Sequence, residues 1–190
     1  MAFHYHRLRV LAPYSLPPDQ GAIIACNHTS YVDPLFLQAA CPRLIAWMIA
    51  QEYYHGRGIN FVCRQIGAIP VQRSGRDMAA TRAALRALRD GRVLGLFPEG
   101  RIETQRQLLP LQSGLALLAL KSGVPVVPAW LEGTQRGAES LAGAYLWPRD
   151  VQLTFGPPLV FRGSDEHPAR ELTDDVMTAV TKALESLKNS

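Results

Sequence analysis

Six short apolar runs alternate along this chain with stretches of helical period, and that alternation constrains the fold more than any other feature. The runs lie at 23–25, 44–49, 68–71, 93–97, 124–131 and 151–155. Helices are expected at 34–40, 59–66, 75–89, 112–121 and 171–187. Strands alternating with helices indicate an α/β domain. The expected fold class is therefore α/β: a single domain, 1–190, with a mostly parallel or mixed central sheet flanked by helices. At 190 residues the chain suits one domain and is long enough to bury a core without staples.

Local signals set the ends of these elements. Asp33 reads as an N-cap and Pro34 as the first helical position. The span 75–89 is the clearest amphipathic helix: Met78, Leu85 and Leu88 form an apolar side, while Arg82, Arg86 and Arg89 recur on another. Asp90-Gly91 ends it, and Gly123 ends the helix before it. The longest irregular stretches, 99–111 and 132–149, are of the length that often carries function.

Composition excludes several classes. Hydrophobic residues make up 47% and charged residues 19%, which is not a disordered chain. Cys26, Cys41 and Cys63 form no C-x-x-C pair, so neither a disulfide framework nor a metal site is expected. The first eighteen residues hold His4, His6, Arg7 and Arg9 and lack the apolar core of a signal peptide. That segment would lie on an interface or pack as an edge strand. No run of eighteen apolar residues occurs, so any meeting with a membrane is expected from the side. Net charge is +4, and seven arginines stand against two aspartates between Arg64 and Arg92. Such a segment attracts anionic partners: lipid headgroups, phosphorylated small molecules or an acidic carrier protein. A solvated helix face explains Arg82, Arg86 and Arg89 equally well. Nucleic acid is not expected, because the segment has no aromatic residues on which bases could stack.

The stretch Asn27-His28-Thr29-Ser30-Tyr31-Val32-Asp33 holds the candidate chemistry. Five residues apart, His28 and Asp33 could not share one face of a helix. A turn before Pro34 can bring the imidazole back to the carboxylate. Asp33 would then fix the tautomer of His28 and stabilise its protonated form, as in a Ser-His-Asp triad. A substrate hydroxyl, rather than an enzyme serine, would give up its proton. Taken alone, though, the pair reads as a loop histidine and a helix cap.

Three further blocks change its weight: Gly67-Ala68-Ile69-Pro70-Val71-Gln72-Arg73, Phe97-Pro98-Glu99-Gly100-Arg101 and Val124-Pro125-Val126-Val127-Pro128. With the first stretch, in this order, they resemble the four blocks of the glycerolipid acyltransferase family, which includes the 1-acylglycerol-3-phosphate acyltransferases. The resemblance covers about residues 20–135. It implies an acyltransferase-type αβ fold and O-acyl transfer in phospholipid synthesis. It implies His28 as general base and Asp33 as its partner. Arg73, Glu99, Gly100 and Arg101 would bind the acceptor, typically a lysophospholipid phosphate. The acyl donor would be an acyl thioester on coenzyme A or acyl carrier protein, with no bound cofactor. The protein would sit in the cytoplasm, peripheral on the inner face of the membrane.

The residues are chemically suited to those roles, although without the blocks Arg73 would read as a solvated surface arginine. Arg73 follows a buried strand, where α/β folds bind ligands, and its planar fork suits phosphate. A glutamate repels phosphate, so Glu99 is expected on an acceptor hydroxyl or a neighbouring arginine; the alternative is a turn residue with its side chain in water. Gly100 would let backbone approach a ligand; Gly114 also fits the family pattern, and close helix packing explains it at least as well. Two departures bear on the acceptor. Gln72 stands where an acidic residue is commonest, and Arg101-Ile102 stands where Thr-Arg is commoner. A different lyso- or amino-lipid acceptor is the alternative. A hydrolase with its own nucleophile would want G-x-S-x-G, whereas Ser113 sits in Leu-Gln-Ser-Gly-Leu. A silent lipid- or nucleic-acid-binding module would need no histidine and aspartate beside these blocks.

Overall fold

An apolar run with no polar alternation can hide both faces only in the middle of a layered structure. The computed structural model describes residues 6–52, 57–72, 77–102, 108–134, 148–162 and 169–189. Along the chain run β1 (Leu8–Ala12), β2 (Ala22–Cys26), α1 (Asp33–Ala40), β3 (Ile45–Ala50), α2 (Arg57–Gln65) and β4 (Ile69–Val71). They are followed by α3 (Met78–Arg89), β5 (Val93–Leu96), α4 (Gly114–Ser122), β6 (Val126–Glu132), β7 (Val151–Phe155) and α5 (Ala169–Lys188).

The strands form one seven-stranded sheet in the order β1-β7-β6-β2-β5-β3-β4. Every pair is parallel except β6 with β7, so the sheet is mixed. The α/β reading is the fold observed. The N-terminal segment takes the edge-strand option at Leu8–Ala12, pairing in parallel with β7.

Strand β2 is buried at every residue, and its side chains alternate between two cores. Ile24 and Cys26 share one with Phe36 and Leu37 of α1. Ile23 and Ala25 share the other with Ala84 of α3, Ala116 of α4 and Val180 of α5. One helix layer therefore covers each face. Because β2 is parallel to both neighbours, the turns after β5, β2 and β6 emerge at the same end of the sheet. That end carries the site.

Four sequence expectations change. Val32, not Asp33, is the N-cap of α1; Asp33 is the first helical residue and Pro34 follows it. The physical reason is that Asp33 has nothing to cap: Pro34 lacks an N–H, and Leu35 and Phe36 already donate to the Val32 carbonyl. Met78 is 50% exposed and lies on the outer side with Arg82 and Arg89. The buried face of α3 is instead Ala80, Ala84, Ala87 and Leu88, whose small side chains let the helix lie close to its neighbours. Gly114 is not held by close packing, since a Cβ there would meet nothing within 4 Å.

Helix α3 also starts later than expected, because Asp77 caps it. One Asp77 oxygen accepts the Ala80 N–H at 2.9 Å, and the other accepts the Gln72 N–H at 2.9 Å. These backbone bonds, Ala80 first, hold the Asp77 carboxyl below the ordinary carboxylate range. A lowered native pKa contributes stability that is complete above the unfolded value and lost as pH falls through the folded one. Asp77→Ala is therefore expected to lower the melting temperature at pH 6. The gap to the parent protein should close as pH falls below about 4. A gap that stays constant down to acid pH would show that the carboxylate is not the capping group.

Candidate active site

The site grows out of the end of β2. Asn27 is 3% exposed, and its side-chain amide imitates one more residue of ladder. Its Nδ2 donates to the Leu131 carbonyl at 2.9 Å, and its Oδ1 accepts the Leu131 N–H at 2.8 Å. The strand pairing with β6 thus continues through a side chain while the main chain is free to turn.

The turn then wraps around Asp33. The carboxylate, 0% exposed, accepts on Oδ2 from the Thr29 N–H at 2.7 Å and the Ser30 N–H at 2.8 Å. The same oxygen receives His28 Nδ1 at 2.9 Å. Three donors on one oxygen offset much of the cost of burying the carboxylate. Its Oδ1 has no hydrogen-bond partner among the described residues. The contact between imidazole and carboxylate that the sequence called for is present. Against a carboxylate, Nδ1 carries the proton and donates. The lone pair of the neutral ring then lies on Nε2, the atom free to take a proton. The His28 side chain keeps 16% of its surface open.

Glu99 anchors the turn from the β5 side. It is 3% exposed, with Oε1 accepting the His28 N–H at 2.9 Å and Oε2 accepting the Leu109 N–H at 2.9 Å. The structure thus places Glu99 between two backbone segments rather than out in solvent. Gly100 has φ +72° and donates its N–H to the Phe97 carbonyl at 3.0 Å, closing the turn below Glu99. Only glycine adopts that φ at no steric cost. Arg101 follows, exposed. Arg73 lies outside the described residues.

Aromatic rings fix the plane of the imidazole. His28 stacks on Phe97 with ring centres 3.9 Å apart and an interplanar angle of 12°. Trp47 of β3 stacks parallel to Phe97, centres 5.3 Å apart. Gly95 of β5 makes room for this stack. A Cβ there would lie 2.5 Å from Ile45 Cγ2 and 2.6 Å from the Trp47 ring. Sequence reasoning named none of Asn27, Trp47 or Phe97 as site residues. Phe97 stood inside a recognised block, so it was within reach. Trp47 carried no such signal.

Cys26 ends β2 directly before the turn. Burial, and then the nearby charges of Asp33 and Glu99, push its thiol well above the ordinary range. That favours the protonated thiol, which is a weak nucleophile. What remains is an imidazole with a fixed tautomer, a fixed ring plane and one open nitrogen, an arrangement that can accept a proton.

The chain is similar to known acyltransferases. A family model described as Acyltransferase matches residues 7–132. Over 183 residues the chain is 26% identical to a 1-acyl-sn-glycerol-3-phosphate acyltransferase of Bacillus subtilis, covering 96% of this chain and 88% of that protein. It is 30% identical over 188 residues to the enzyme of the same name from Borreliella burgdorferi, covering 96% and 73%. The crystal structure of the 1-acyl-sn-glycerophosphate acyltransferase PlsC from Thermotoga maritima superposes with a TM-score of 0.67 at 25% identity. That match covers 92% of this chain and 71% of the other.

Two outcomes follow from the packing. Gly95→Ala must displace the Trp47 ring. It is expected to cost about 1–3 kcal/mol of stability and to lower activity per folded molecule, read by thermal melts and initial rates. Full activity with an unchanged melt would mean that the stack does not depend on this contact. Cys26, Cys41 and Cys63 are all buried, so iodoacetamide at neutral pH should leave the native enzyme active. Rapid inactivation would point to a reactive thiol in the site.

Proposed function

The chain belongs to the acyltransferase family and is an O-acyltransferase; within that class, we propose that it acylates the free hydroxyl of 1-acylglycerol-3-phosphate. The donor is a fatty acyl thioester of coenzyme A or acyl carrier protein. His28 is the general base and Asp33 its orienting partner. The observation that carries this reading is the contact of His28 Nδ1 with Asp33 Oδ2 at 2.9 Å, on a carboxylate that two backbone N–H groups also hold.

The chemistry balances with these two side chains. His28 Nε2 takes the proton of the acceptor hydroxyl as its oxygen attacks the thioester carbonyl. Asp33 stabilises the imidazolium that forms. The tetrahedral intermediate collapses, the C–S bond breaks, and the imidazolium returns the proton to the departing sulfur. The products are an ester and a free thiol, and no acyl-enzyme is needed. The protonated thiol of Cys26 is consistent with that route.

The acceptor is the finer part of the proposal. The relatives of Bacillus subtilis and Borreliella burgdorferi are named for 1-acyl-sn-glycerol-3-phosphate. Arg73, just beyond β4, and exposed Arg101, just beyond Glu99, are placed along the sequence to meet its phosphate. Among the described residues no helix is long and apolar enough to cross a membrane. Exposed Arg82, Arg86 and Arg89 on α3 would favour an anionic surface, at about 1 kcal/mol per charge. We therefore place the enzyme peripherally on the cytoplasmic face of the membrane.

Purified protein given acyl donor and lysophosphatidic acid is expected to release free thiol. His28→Ala and Asp33→Asn should each lose roughly 10²–10⁴-fold in rate while remaining folded by circular dichroism. A fully active His28→Ala would end the mechanism. Arg73→Ala should raise the acceptor KM and leave the donor KM alone. An unchanged acceptor KM would point instead to a lyso- or amino-lipid without that phosphate.

A further inference from the structure

We propose that Thr134 is a positioning residue for acyl transfer: its hydroxyl holds Thr29, and through Thr29 the His28–Asp33 pair. The proposal rests on the reading of that pair as catalytic.

The Thr29 and Thr134 hydroxyls hydrogen-bond at 2.7 Å. Thr134 is 0% exposed, so this hydroxyl serves the protein and not a ligand. Thr29 is the junction, because its N–H also donates to Asp33 Oδ2 at 2.7 Å. Any shift of Thr29 therefore moves a donor on the oxygen that orients His28. Glu99 holds the His28 main chain from the β5 side, and Thr134 holds the next residue from the β6 side.

Thr134 is itself held from behind. Arg149, 2% exposed, donates Nη1–H to the Thr134 carbonyl. The preceding residue, Gly133, has φ +84°, and a Cβ there would collide with the Asp150 carbonyl oxygen. The backbone at 133–134 thus lies directly against residues 149–150 and has little room to drift. The chain Arg149, Thr134, Thr29, Asp33 transmits that fixed position to the base. Only its last two residues lie in the catalytic turn, and Thr134 and Arg149 fall beyond the residues that the family model matches.

A methyl in place of the Thr134 hydroxyl keeps volume and removes the bond. Thr134→Val is expected to lower kcat about tenfold, with both KM values unchanged, because a small displacement of a reacting group is costly while substrate contacts are untouched. Thr134→Ser should restore most of kcat. Thr29→Val should match Thr134→Val, and the double variant should be no worse than either single one, since both break the same bond. A merely structural threonine would change the melt and the yield but not the kcat of folded enzyme. If Thr134→Val does not fold, Thr29→Val compared with Thr29→Ser reads the same bond from its half-buried side. His28→Ala runs beside these variants. If it stays active, the catalytic reading falls and this proposal with it. If it is inactive and Thr134→Val keeps full kcat, or the losses of the two threonine variants multiply, this proposal alone is overturned.

Discussion

One carboxylate oxygen organises the turn after β2. Asp33 Oδ2 accepts from Thr29, from Ser30 and from the His28 ring, so the backbone path of the turn and the orientation of the imidazole are one decision. An aspartate buried without donors would be costly. Here the turn itself supplies them. A helix that starts at Asp33 itself, with proline second, leaves the carboxylate no forward partner and sends it back onto the turn.

The sheet makes that turn rigid. The parallel order β6-β2-β5 brings the residues after three strands together at one end. From the β6 side come the Leu131 backbone and the Thr134 hydroxyl, and from the β5 side come the Glu99 carboxylate and the Phe97 ring. A catalytic base must be held close to its productive geometry by groups that are themselves packed. Each of these four partners belongs to a strand of the central sheet or to the residues directly after one.

Two aspartates at helix starts show how far local reading goes. Asp77 and Asp33 both stand where a helix begins, and both look like caps by residue type. Asp77 is one: it accepts from Ala80, three residues ahead. Asp33 accepts from three and four residues behind. Residue type says that a short carboxylate will find a backbone N–H nearby; which side it finds depends on which donors are already used. A similar limit explains Met78. Its spacing put it with Leu85 and Leu88, but the side of α3 that meets its neighbours was settled by the small residues Ala80, Ala84 and Ala87.

By itself the sequence determined the alternation of strand and helix, nearly every element boundary to within a few residues, and the meeting of His28 with Asp33. These depend on neighbours a few positions apart: apolar runs, a proline, a glycine after a helix, a turn of five residues. The family was legible for a related reason, since its four blocks are local patterns in a fixed order. Only the tertiary structure decided what holds the His28 turn. His28 meets Glu99 across 71 residues, Asn27 meets Leu131 across 104 and Thr29 meets Thr134 across 105. No periodicity or turn signal spans such separations. They exist because strand order places the ends of β5 and β6 on either side of β2.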